Sequence, residues 1–287
     1  MRHQPGSEIT SVTYSDIPRL LTMTIVWLLL LVWFLIADRS GCVAILGIWV
    51  VFSVIVFVSG IESALAKRRV FLNECLEPRT FLFRLLQRRY LLIAIEILTS
   101  AVLALFLMVS ALSFASRHWS LIFADVLLVS LLLPRFYGVF AGQLREPYRY
   151  VTARRWAMWV STLFLWLESL LVLVFANEQN FIGLRWQEVI TYGSTRFDLP
   201  CAPVATIASL VSALDDLGQW SVQNLARNFQ DLPQAFMASA SLFVYVVLSL
   251  LLAYAYSRAL IGVVGRPWTM WRIESPPRSL IAGDGTG

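Results

Sequence analysis

Three carboxylates fall where a carboxylate is expensive. Glu96, Asp125 and Glu168 each interrupt a long apolar run: YLLIAIEIL, SLIFADVLL and LFLWLESLLVLV. A charge at the centre of a bilayer costs about 2.5–3.5 kcal/mol on insertion scales, so such a group faces a protein interior, pairs, or stays protonated. An intramembrane acid that can be made to ionise is the chemistry of a proton or cation path. The structural alternative is a neutral acid hydrogen-bonded to a hydroxyl on a neighbouring helix, with Ser100, Ser130 and Ser169 as candidates. The sequence places no Lys, Arg or His at mid-depth, so no salt-bridge partner is foreseen. Glu96, near the inner end of its run, has Arg88 and Arg89 about two helical turns away, within reach of snorkelling side chains.

Other chemistry finds little to build on. There is no GxSxG, HExxH, P-loop or GxGxxG pattern, and each of those spacings carries a mechanism that scattered residues do not. An aspartyl dyad needs a second Asp within a span, and Asp125 stands alone. The histidines, His3 and His118, fall in a terminus and a turn. The cysteines, Cys42, Cys75 and Cys201, lack the paired spacing of a zinc site. The sequence therefore predicts no catalytic residue, no metal and no cofactor. Cys42 and Cys201 are expected on the same face of the membrane, where a disulfide requires Cα atoms within about 7 Å. Otherwise the three thiols are unconnected.

The elements that must position these groups follow from composition. Of 287 residues, 58% are hydrophobic and 14% charged, against roughly 45–50% and 25% in soluble domains. With a mean hydropathy of +0.70, such a chain in water would expose apolar surface that no single core could hide. It reads as an all-α polytopic membrane protein with six transmembrane helices, each close to the ~20 apolar residues needed to cross. Residues 1–19 form a polar tail without an evident cleavable leader. A hairpin of two spans covers 20–60, and 61–89 is a basic loop. A second hairpin covers 90–140, followed by a second basic loop over 141–155. The fifth span is 156–176 and the sixth 235–256. Between them, 177–234 reads as a small outer segment of two short amphipathic helices, broken near Asp215–Gly218. Asp215 and Asp216 there are expected on a solvated face. Residues 257–287 form a tail whose PPRSLIAGDGTG end reads as disordered.

Charge fixes the orientation. Short loops rich in Lys and Arg stay on the cytoplasmic side. The first basic loop carries Lys67, Arg68, Arg69, Arg79, Arg84, Arg88 and Arg89; the second carries Arg145, Arg149, Arg154 and Arg155 beside Arg135. With both termini cytoplasmic, 18 cations fall inside and 5 outside, which accounts for all 23 Lys and Arg residues. From Pro78 onward the first loop reads as an amphipathic interfacial helix or as a simple elbow into the third span. Cations bordering apolar spans point to lipid headgroups or to docked proteins rather than to nucleic acid. Lys67, Arg68, Arg69, Arg84, Arg88, Arg89, Arg145, Arg149, Arg154 and Arg155 are the candidate docking or headgroup residues.

The outline of six spans, inner termini, a basic loop after span two and a folded outer segment before span six is similar to that of the permease subunits of ABC-2-type exporters. The resemblance is of topology and rests on no motif. It implies a helix in the first inner loop that couples to a cytoplasmic ATPase; the long second basic loop is not part of that pattern. Beside it stands a reading from another class: a non-catalytic inner-membrane subunit of a bacterial envelope assembly, such as a secretion or conjugation apparatus, that docks other membrane or envelope proteins through its basic loops and outer segment.

Overall fold

A backbone in hydrocarbon must satisfy its own hydrogen bonds, and a helix does so segment by segment. The Val- and Ile-rich run after Cys42 is accordingly helical, although β-branched residues lower helix propensity in water. The computed structural model describes residues 16–74, 90–114, 116–144, 148–175, 179–197, 199–224 and 232–265. Among them the regular elements are all helical. They are α1 (Asp16–Ile36), α2 (Cys42–Glu74), α3 (Tyr90–Ala111), α4 (Ser116–Val139), α5 (Tyr148–Phe175), α6 (Trp186–Ser194), α7 (Ala202–Gln223) and α8 (Leu232–Gly262), with short 3-10 turns after α1 and α4. Six of them, α1 to α5 and α8, are long and apolar enough to span a membrane.

The last helix is the hub. α8 packs on α5, α7, α2 and α3, while α1 lies mainly against α4. Trp33, Phe52, Met108, Val126 and Leu260 belong to the main buried cluster. A buried tryptophan usually places its indole N–H on an acceptor. Trp33 Nε1 donates to the Met108 carbonyl at 2.8 Å and Trp49 Nε1 to that of Ala101 at 2.9 Å, tying α1 and α2 to α3.

α6 and α7 form a cap at one end of the bundle. Trp220, Phe181, Val189 and Leu217 make its own small core. The end of α7 also holds the preceding loop. Trp220 donates to the Leu184 carbonyl, Gln223 accepts from Phe181 N, and Asn224 accepts from Gly183 N and donates to the Phe181 carbonyl. Cys42 at the start of α2 is joined to Cys201 just before α7 by a disulfide, with Cα atoms 4.8 Å apart. We call this the disulfide end and the opposite one, where Lys67 and Arg155 lie, the basic end.

Three expectations are corrected. α7 is one helix and not two with a break, because Gly218 serves another purpose: a Cβ there would fall within about 2.7 Å of the Tyr245 ring of α8. The glycine allows two helices to touch. Arg258 belongs to no tail, since α8 runs on to Gly262. Arg149, Arg154 and Arg155 lie within α5, which begins at Tyr148, not in a loop. α5 and α8 outrun the hydropathy windows because Arg154 and Arg258 near their ends are paired inside the bundle. The amphipathic helix after Pro78 and the terminal tail lie outside the described residues.

Candidate functional site

A single helix carries the polar ladder of the bundle. On α5, Arg154, Ser161 and Glu168 are spaced by seven residues. A heptad step drifts only about 20° around a helix and climbs about 10 Å, so the three share a face. Each meets a different neighbour.

At the basic end, Arg154 is buried and pairs with Glu62 of α2. Its second amino group donates to the Ile261 carbonyl of α8 at 2.6 Å. This corrects two expectations: Arg154 does not present itself to a docking partner, and Glu62, which opens the run read as a basic loop, is an interior acid. A second ion pair lies beside it. Arg258 Nη2 of α8 meets Glu96 Oε2 of α3 at 2.9 Å, with the Arg258 side chain 6% exposed and that of Glu96 20%. Glu96 therefore has a salt-bridge partner, and one that was assigned to the tail. Arg84, Arg88, Arg89 and Arg145 lie outside the described residues, and Arg69 is described in its backbone alone. Arg149 stacks over Tyr137 at 3.7 Å and donates to that residue's carbonyl.

At mid-bundle, Asp125 of α4 is fully buried. Ser161 Oγ lies 2.7 Å from its Oδ2, and the same hydroxyl is 2.8 Å from Ser257 Oγ of α8. The hydroxyl partner foreseen for an intramembrane acid is thus present, but it is Ser161. Ser130 and Ser169 instead donate to carbonyls of their own helices, those of Leu127 and Leu165. Asp125 Oδ1 has no hydrogen-bond partner among the described residues.

Toward the disulfide end, Glu168 lines a cavity of about 110 Å³ together with His118, Asp215, Tyr245, Ser249 and Tyr256. Asp215 thus turns into the protein. Its neighbour Asp216 is wholly buried, and the nearest cation, Arg196 Nη1, is 4.0 Å from Oδ1. Burial first and Asp215 second push its carboxyl up to about 7, partly offset by Arg196. The expectation of a solvated acidic face is therefore overturned for Asp216, while Asp215 is half-buried at the cavity.

The basic end holds a larger cavity of about 490 Å³, lined by Lys67, Arg68, Arg155, Arg258 and Glu96. Of the docking candidates, Lys67, Arg68 and Arg155 are brought together here.

No family model, curated protein or solved structure matches this chain.

Proposed function

We propose that the protein is a non-catalytic, integral inner-membrane subunit of a larger bacterial envelope assembly, with both termini in the cytoplasm. The observation that carries this reading is how the interior charge is used. Glu62, Glu96 and Asp125 are each engaged by a side chain of another helix: Arg154, Arg258 and Ser161 respectively. Groups committed to holding helices together suit a scaffold. The basic end then faces the cytoplasm, as the distribution of Lys and Arg requires. The disulfide-tied cap of α6 and α7 faces the oxidising side, where such bonds persist. Partners dock on that cap and on the basic loops.

A permease subunit is the second reading. It is favoured by one arrangement: the Asp125 network lies between the Glu168 cavity at one end and the basic cavity at the other.

One experiment separates them. Affinity purification of the tagged chain from membranes, followed by mass spectrometry, should recover several envelope proteins in fixed proportion. A cytoplasmic ATPase as the dominant partner would instead establish the permease reading. Glu168→Gln should leave assembly of that complex intact; loss of substrate movement in the variant, with the complex intact, would transfer the role to the acids.

A further inference from the structure

We infer that the cavity at the basic end is a binding site for an anionic phospholipid, its phosphate held between α2, α5 and α8 and its acyl chains lying along α3 and α5. The inference goes beyond the scaffold reading and needs neither that reading nor a choice of membrane side.

Four cationic side chains and one carboxylate line the cavity. Glu96 already faces Arg258 at 2.9 Å, which leaves no acid of the lining for Lys67 and Arg155. Lys67 and Arg155 come from different helices, α2 and α5, and converge on the same space. Like charges brought together at the edge of a bilayer repel unless an anion sits among them, and basic pockets between transmembrane helices are where phosphate headgroups bind. The volume, about 490 Å³, falls within the roughly 300–1,000 Å³ of ordinary ligand sites.

The rest of the lining argues for a lipid rather than a soluble phosphate. Leu91, Ile95, Met158 and Trp159 form an apolar wall. Two of them begin exposed apolar stripes at helical spacing. On α3, Leu91 and Ile95 lead to Leu98 and Val102; on α5, Trp159 leads to Leu163 and Leu167. Both stripes run from the cavity toward the disulfide end. A ligand with a charged head and long apolar tails satisfies the cations and covers both stripes; a free phosphate satisfies the cations alone. Gly60 fits the same design. A side chain there would collide with the Arg258–Glu96 pair, so glycine keeps the floor of the cavity open.

The test uses the full chain in a neutral detergent and follows thermal unfolding. Dioleoyl phosphatidylglycerol should raise the midpoint saturably, while dioleoyl phosphatidylcholine should not. Lys67→Gln combined with Arg155→Gln should weaken the phosphatidylglycerol response at least tenfold, and Arg39→Gln at the other end should leave it unchanged. Equal stabilisation by phosphatidylcholine, or wild-type affinity in the double variant, would overturn the site. Sodium phosphate or sn-glycerol 3-phosphate binding as tightly as the lipid would overturn the lipid and leave a soluble phosphate in its place. Should the double variant fail to fold, a photoactivatable phosphatidylglycerol on the wild-type protein decides. Crosslinks at the cavity-lining residues of α2, α3 or α5 support the site, and crosslinks confined elsewhere refute it.

Discussion

The two ends of this bundle solve the problem of buried charge in opposite ways. At the basic end, acids and cations meet in pairs across helices: Glu62 with Arg154, and Glu96 with Arg258. At the disulfide end, Asp215 and Asp216 stand next to each other in one helix, and Arg196 reaches Asp216 only at 4.0 Å. There a covalent bond, between Cys42 at the start of α2 and Cys201 just before α7, ties the elements together instead. The difference teaches where neutralisation comes from. A carboxylate at membrane depth with an arginine nearby can stay charged, because the pair offsets desolvation. A buried carboxylate in the cap, close to water, can take up a proton instead.

The sharpest way to break the comparison is at the buried pair. Arg154→Ala leaves Glu62 as an uncompensated interior charge and should cost about 3–5 kcal/mol. Thermal unfolding in detergent reads this as a large drop in midpoint. Combining Arg154→Met with Glu62→Gln removes both charges and should recover most of the loss. If the double variant is no better than the single, the penalty lies in packing and not in charge.

The covalent tie ranks next. Cys42→Ser or Cys201→Ser should lower stability by about 2–4 kcal/mol, the usual range for a native disulfide. Each variant should also abolish the mobility difference between reduced and non-reduced samples on a gel.

Asp216 gives the comparison a pH axis. Its carboxyl is raised from 3.8 to about 7, so the folded state binds the proton more tightly than the unfolded state. The contribution is then fully favourable at low pH and is lost as pH rises from about 4 through 7. Asp216→Asn should flatten that decline and raise the unfolding midpoint at pH 8, by about 2–4 °C for each kcal/mol recovered. A variant with the wild-type slope across this window would assign the pH dependence to another group.

The smallest effect is expected at mid-bundle. Asp125→Asn keeps an acceptor for Ser161 and should be nearly silent. Ser161→Ala should cost about 0.6 kcal/mol and at most about 1.7, the range measured for hydrogen bonds between membrane helices. A larger loss would mean that the Ser161–Ser257 contact couples α5 to α8 more strongly than one bond does.

The helices were the legible part of the sequence, because a run of about 20 apolar residues can satisfy its backbone in hydrocarbon in essentially one way. The ion pairs were not. Counting arginines by side treats Arg154 and Arg258 as loop residues, yet both lie inside helices and face acids 92 and 162 positions away. Nothing local announces such a partner. A signal was nevertheless present in α5, where Arg154, Ser161 and Glu168 repeat at a heptad interval that places them on one face. Ser161 attracts no notice alone and gains meaning only beside the other two. The reverse happened at Asp215 and Asp216: two adjacent acids look solvated in sequence, and only the fold of the cap over α8 buries Asp216 and turns Asp215 toward a cavity. Gly218 misled for a related reason, since close approach and helix breaking use the same residue.

The Cys42–Cys201 bond also sets a clock. Its partners are 159 residues apart, and at about 5–20 residues per second the second emerges from the ribosome roughly 8–30 s after the first. In that interval α2, α3, α4, α5 and α6 are made, while Cys42 waits as an open thiol. A disulfide-bearing oxidant that reaches Cys42 during the delay holds it as a mixed disulfide, with one of the oxidant's sulfurs leaving as thiolate, until the Cys201 thiolate attacks and displaces the other. The bond therefore records the order of events in biogenesis, and a pulse-chase on a non-reducing gel would show the moment when the cap arrives over a bundle already begun.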